Sequence, residues 1–113
     1  MEKTEVNVLY ACDDNYAPYA CVSICSLLTN NRDIDDITIY VVLDNVSSIN
    51  VEKLKMQIEQ YHATFIAVDA TELKKYIRIL NIPSYRGSYG TNYRLFFDLF
   101  MNEHVKKFIY IDC

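Results

Sequence analysis

Glycine is almost missing from this 113-residue chain, which holds only Gly87 and Gly90. Loops that wrap phosphate in backbone N–H groups depend on clustered glycines, so the dinucleotide fingerprint and the P-loop are both excluded. Proline is as scarce, with Pro18 and Pro83. No Cys-x-x-Cys occurs, and the two histidines, His62 and His104, stand far apart, so a structural zinc site is not expected. Cys12, Cys21, Cys25 and Cys113 are irregularly spaced, which suits free thiols rather than a disulfide framework. Cys21 and Cys25 lie one helical turn apart in an apolar pattern and are expected to be core thiols. No basic cluster exceeds two adjacent residues and the net charge is −4, which argues against nucleic acid as a partner. No apolar run approaches the ~20 residues of a spanning helix. The charged start, Met1 to Glu5, has no signal-peptide core, so a cytoplasmic location is the default.

The chain does have enough apolar residues for a core: 51% are hydrophobic and 23% charged, a globular balance that fits a single domain over residues 1–113. The run Val6 to Ala11 reads as a first strand, and Cys12-Asp13-Asp14-Asn15-Tyr16 as a turn, because Asp and Asn bond to nearby backbone. Pro18 suits the first turn of a helix to about Asn30, with Cys21, Val22, Ile24, Cys25, Leu27 and Leu28 as its buried face. Ile37 to Leu43 is a second strand, ending at Asp44. Ser47-Ser48 can cap a helix to about Tyr61, whose buried stripe is Ile49, Leu54, Ile58 and Tyr61. Thr64 to Val68 is a third strand, after which Asp69 and Glu72 form a capping-box variant for a helix through Leu73, Tyr76, Ile77 and Leu80. Pro83 ends it, residues 84–90 form a surface loop, and Thr91 caps a helix from Asn92 to about Asn102. Phe108-Ile109-Tyr110-Ile111 is a closing strand, expected to be buried on both faces, and runs into Asp112.

The order β-α-β-α-β-α-α-β predicts an α/β fold, a three-layer α/β/α arrangement around a mostly parallel sheet. If three strands wind outward and the fourth returns beside the first, the sheet reverses direction between strands one and four. Asp13, Asp14, Asn15, Asp44, Asp69 and Asp112 all gather at the carboxyl edge, where ligands bind in such sheets. An acidic wall without a glycine loop suits a divalent metal, Mg²⁺ or Mn²⁺, that neutralises a ligand's phosphates.

The stretch Val8-Leu9-Tyr10-Ala11-Cys12-Asp13-Asp14-Asn15-Tyr16, the helix segment Tyr19 to Ser26, Val42-Leu43-Asp44, Thr91-Asn92-Tyr93-Arg94-Leu95 and Phe108-Ile109-Tyr110-Ile111-Asp112 together resemble the family 8 retaining glycosyltransferases, which have the Rossmann-like GT-A fold. The resemblance implies a UDP-sugar donor, a saccharide acceptor (glycan or lipid-linked) and transfer of a hexose with retention. It implies that Ala11, Asp13, Asn15 and Tyr16 contact the uracil and ribose, with Tyr16 stacking on the base and Asp13 accepting from its N–H. Arg94 would lie near the donor sugar or diphosphate. Asp112 would be the first aspartate of an Asp-x-Asp motif and a ligand of Mn²⁺. The second aspartate would fall two positions past Asp112, so the chain is expected to be the N-terminal, nucleotide-sugar-binding part of a longer enzyme, inactive in transfer by itself. The longer protein could sit at the membrane periphery. Catalytic residues are not identified. An unpaired outer edge on the last strand predicts self-association.

Blander readings stand beside these. Asp13 and Asp14 can be only a turn, Asp44 and Asp69 helix-end charges, and Arg94 a surface residue. The 84–90 loop is a lid over the donor or an ordinary loop, and His62 and His104 are structural or solvated. A sugar-phosphate nucleotidyltransferase shares the α/β plan but wants a Gly-rich loop after the first strand; a non-catalytic interaction module would bind no nucleotide.

Overall fold

A computed structural model describes residues 5–79 and 109–111. Seven elements follow in order: β1 (Glu5–Asp13), α1 (Ala17–Asn30), β2 (Asp36–Asp44), α2 (Ser48–Glu59), β3 (Thr64–Asp69), α3 (Ala70–Ile79) and β4 (Ile109–Tyr110). The expected Pro83 stop, 84–90 loop, Thr91-capped helix, His104 and Cys113 lie outside the described residues. The strands form one parallel sheet in the order β3-β2-β1-β4. Short helical crossovers, right-handed in nearly all such units, leave parallel pairing as the available arrangement. The reversal expected between the first and last strands is present, with Val8 opposite Ile109 and Leu9 opposite Tyr110.

Alternation along β1 divides the core in two. Val8, Tyr10 and Cys12 pack with Ile37, Ile39 and Val41 beneath Ile24 and Leu28 of α1 and Leu54 and Ile58 of α2. Leu9 faces the other way, with Tyr40, Val42, Val68, Ala70 and Leu73, the last two on α3. Tyr10 is fully buried, and its hydroxyl shares a 2.9 Å hydrogen bond with the Ser23 hydroxyl of α1. Among the described residues no buried side-chain nitrogen or oxygen lacks a partner.

Polar side chains mark the starts of α2 and α3. The Ser47 side chain accepts from the backbone N–H of Asn50 at 3.3 Å, the cap that its position before α2 predicts. β3 runs into α3 without a loop, and the Asp69 carboxylate accepts from the Thr71 backbone N–H (2.8 Å) and hydroxyl (2.7 Å). α2 closes through His62, an exposed residue in the left-handed region at φ 62°.

Several burial expectations are corrected. The stripe that α1 buries is Ala17, Ala20, Ile24 and Leu28, while Val22 is 70% exposed. At 3.6 residues per turn Val22 sits about 200° around the helix from Ile24, on the opposite side. Ile49 is likewise 67% exposed, because it lies at the start of α2, off the Leu54–Ile58 line. Cys21 and Cys25 are free thiols but half-buried on the flank of α1, and among the described cysteines only Cys12 is a core thiol. β4 is also less covered than a strand buried on both faces. Ile109 is 55% exposed, since among the described strands β4 pairs with β1 alone and forms the sheet's edge.

Truncating Ile24 to Ala should lower the unfolding free energy by about 2–5 kcal/mol. Val22→Ala, two positions away, should stay within about 0.5 kcal/mol. Urea unfolding of the two variants side by side checks this, and equal losses would contradict the assigned helix face.

Candidate functional site

The carboxyl ends of β1, β2 and β3 are Asp13, Asp44 and Asp69. Asp13 and Asp44 are register partners on adjacent strands, which places two carboxylates at one level with their Cα atoms about 4.8 Å apart. The Asp44 carboxylate forms an ion pair with the Lys74 ammonium of α3, which offsets the repulsion that two unpaired neighbours would feel. Asp69 is occupied by its helix cap; the Thr71 side chain and then its backbone N–H hold the Asp69 carboxyl below the ordinary carboxylate value. Asp44 and Asp69 therefore act here as structural charges, the blander of the two readings made from sequence.

Asp13 and Asp14 behave differently from each other. Asp13 turns the chain: its Oδ1 accepts from the Tyr16 backbone N–H at 2.9 Å. The residue is half-buried, and a carboxylate offers about four acceptor positions, so capacity remains for a ligand's donor. Asp14 instead reaches across to the next crossover. Its Oδ1 accepts from the Ser47 backbone N–H and from the Asn50 side-chain amide, each at 2.9 Å. These bonds, the backbone one foremost, hold the Asp14 carboxyl below its ordinary value of 3.8. The β1–α1 turn is thereby tied to the start of α2.

Asn15 and Tyr16 are exposed, and Tyr16 precedes the first turn of α1, which contains no acidic residue. The Asp13 carboxylate, through its bond to the Tyr16 N–H, is the anionic group at that helix end, which lies toward the sheet's carboxyl edge. The Tyr16 ring lies 6.0 Å from the Tyr19 ring at an interplanar angle of 51°. Ala11 is half-buried, against the Leu9–Tyr40 side of the sheet, and Tyr110, two residues before Asp112, packs on that same side. The pairing of β1 with the last strand continues to the Ile111 N–H, which donates to the Leu9 carbonyl at 3.0 Å.

Of the residues expected at the site, Ala11, Asp13, Asn15 and Tyr16 are thus gathered at the end of β1, beside the point where strand order reverses. Arg94 and Asp112 lie outside the described residues. Among the described residues no three of His, Cys, Asp or Glu converge as a metal set, and these residues do not by themselves build a cation site. Sequence reasoning missed three contributors. Tyr19 follows Tyr16 at the i, i+3 helical spacing, a signal that was legible. Asn50 and Lys74 reach Asp14 and Asp44 across separations of 36 and 30 residues, for which the sequence holds no local sign.

Residues 7–113 match the family described as Glycosyl transferase family 8. The chain is 29% identical over 117 residues to General stress protein A of Bacillus subtilis (strain 168), a match that takes in 100% of this chain and 39% of that protein. Two crystal structures of LgtC have the same fold with TM-scores of 0.71 at 23% identity, over 95% of this chain and 37% of theirs. One is of an active-site mutant; the other is of the galactosyltransferase in complex with donor and acceptor sugar analogs. The chain therefore spans less than two-fifths of the length of these relatives.

The Asp14 carboxyl, followed by NMR through an acid titration, should titrate below 3.8. Asn50→Ala should move it upward. Because its folded value is the depressed one, the stability that Asp14 contributes is present above the unfolded value and is lost as pH falls through the lower, folded one. A midpoint unmoved by Asn50→Ala would show that the amide contact is absent in solution.

Proposed function

The chain belongs to glycosyl transferase family 8, and on that premise we propose that the end of β1 binds a UDP-sugar, the donor from which a hexose passes to a glycan or lipid-linked saccharide with retention. One observation carries the reading: the Asp13–Tyr16 turn sits where strand order reverses, between β1 and β4. In parallel α/β sheets that crevice is where ligands bind.

In this reading the half-exposed Tyr16 ring offers a face to the uracil, and Asp13 accepts from the base N–H while its other contact holds the turn. Ala11 and Asn15 line the base and ribose. The N-terminal end of α1 favours the anionic diphosphate, and Arg94 is assigned to the same group. The proposal includes a divalent ion, Mn²⁺ or Mg²⁺, with Asp112 as the residue of this chain assigned to it. Such an ion draws charge from a departing diphosphate when bound. A cytoplasmic location is kept as part of the reading. Among the described residues no helix is long and apolar enough to cross a membrane.

Calorimetric titration with UDP tests the donor site. Asp13→Ala should weaken binding about tenfold or more, the worth of a hydrogen bond to a charged acceptor. Asp69→Ala, on the far edge strand, should leave binding nearly unchanged. Equal effects of the two, or tighter binding of nucleoside triphosphates than of UDP, would overturn the assignment.

The proposal also includes self-association through the outer side of β4, whose Ile109 is 55% exposed. Sedimentation at tens of micromolar should show dimers or larger species, and Tyr110→Lys should reduce them. A single monomeric species, unaltered by that substitution, would contradict this part.

A further inference from the structure

Between α1 and α2, beginning beside the β1–α1 turn at Ala17 and Asn50, lies a groove of about 440 Å³ whose walls also include Val22, Leu54, Lys53 and Gln57. Cys21 and Cys25 open into that groove from α1, both half-buried and both free thiols. The Cys25 thiol donates to the Gln57 side-chain oxygen at 3.4 Å, which fixes its position above α2. Burial pushes the Cys21 thiol up, and the Cys25 thiol beside it acts in the same direction.

The spacing decides what this pair can do. Residues four apart on a helix have Cβ atoms about 5–6 Å apart, whereas a disulfide needs about 3.5–4.5 Å. A direct sulfur–sulfur bond would unwind the turn, but one atom placed between the sulfurs spans the gap with the helix intact. Zinc wants four ligands, and among the described residues no third His, Cys, Asp or Glu joins the pair. Two thiolates left charged in a half-buried groove would repel each other and lose solvation. The favoured occupant is therefore a soft centre that takes both sulfurs and yields a neutral product.

We propose that Cys21 and Cys25 form a dithiol site for trivalent organoarsenicals, the organic substituent lying in the groove between α1 and α2. With phenylarsine oxide, two arsenic–sulfur bonds form and the arsenic–oxygen bond breaks. The two thiol protons leave with that oxygen as water, so arsenic stays trivalent and nothing is oxidised or reduced. The phenyl ring has Ala17, Val22 and Leu54 to rest on, and the bridge ties one turn of α1 to the next.

The test uses the reduced full chain with one equivalent of phenylarsine oxide, read by intact mass and by titration of remaining thiols. One adduct per chain is expected, with two thiols lost, resistant to excess glutathione and released by dithiothreitol. Proteolytic mapping of the unsubstituted chain should place the bridge on the segment holding Cys21 and Cys25. In Cys21→Ser or Cys25→Ser the remaining bond should yield to glutathione. An adduct mapped to Cys12 or Cys113, one equally resistant in either serine variant, or no adduct at all would overturn the site. Mapping needs no substitution, so it decides the location of the bridge even where a serine variant fails to fold.

Discussion

Strand β1 is covered on both faces and paired on both sides, and the rest of the structure depends on that enclosure. Val8, Leu9 and Tyr10 are each fully buried, alternating between the layer of α1 and α2 and the layer of α3. Burying side chains of this size contributes about 1.5–3 kcal/mol each relative to exposure. A strand so enclosed must satisfy its backbone through neighbours alone. β2 pairs with it along its whole length, and β4 from the opposite side. The Tyr10 hydroxyl, which would be costly to strand in the core, finds Ser23.

That enclosure delivers the end of β1 to a fixed place. Beyond Cys12 the strand leaves the core, and the polar residues that follow are sorted by their partners. Asp44 is neutralised by Lys74, Asp69 caps the first turn of α3, and Asp14 joins two crossovers through Ser47 and Asn50. Asp13 keeps acceptor capacity after making one bond to its own turn. An acidic edge is thus not a uniform feature. Asp14, Asp44 and Asp69 reach other elements or cap a helix, whereas Asp13 makes its bond within its own turn, to the Tyr16 N–H.

The helices divide their faces in a similar way. α1 gives its small residues Ala17 and Ala20 and the larger Ile24 and Leu28 to the sheet. Its flank, with Cys21 and Cys25, borders the groove against α2, while Val22 and Tyr19 are largely exposed. The buried stripe and the groove-lining flank are two results of one helix rotation, because residues on a rigid helix cannot be turned independently.

Among the described residues the sequence by itself determined β1 to β4 and α1 to α3, and it pointed to the strand order and the family. Apolar runs ending in Asp13, Asp44 and Asp69 mark strands followed by crossovers, and Ser47 and Asp69 mark helix starts, because these signals are local and arise within a few residues. Helix orientation was legible only in part: Val22 and Ile49 are apolar yet exposed, since which apolar residues face the sheet depends on how the helix is set against it. The division of labour among the aspartates was decided by the tertiary structure. Asp14 is claimed by Asn50 and Asp44 by Lys74 across 36 and 30 residues of chain, and no pattern along the sequence announces a contact that exists only once the crossovers have brought separate turns to one edge.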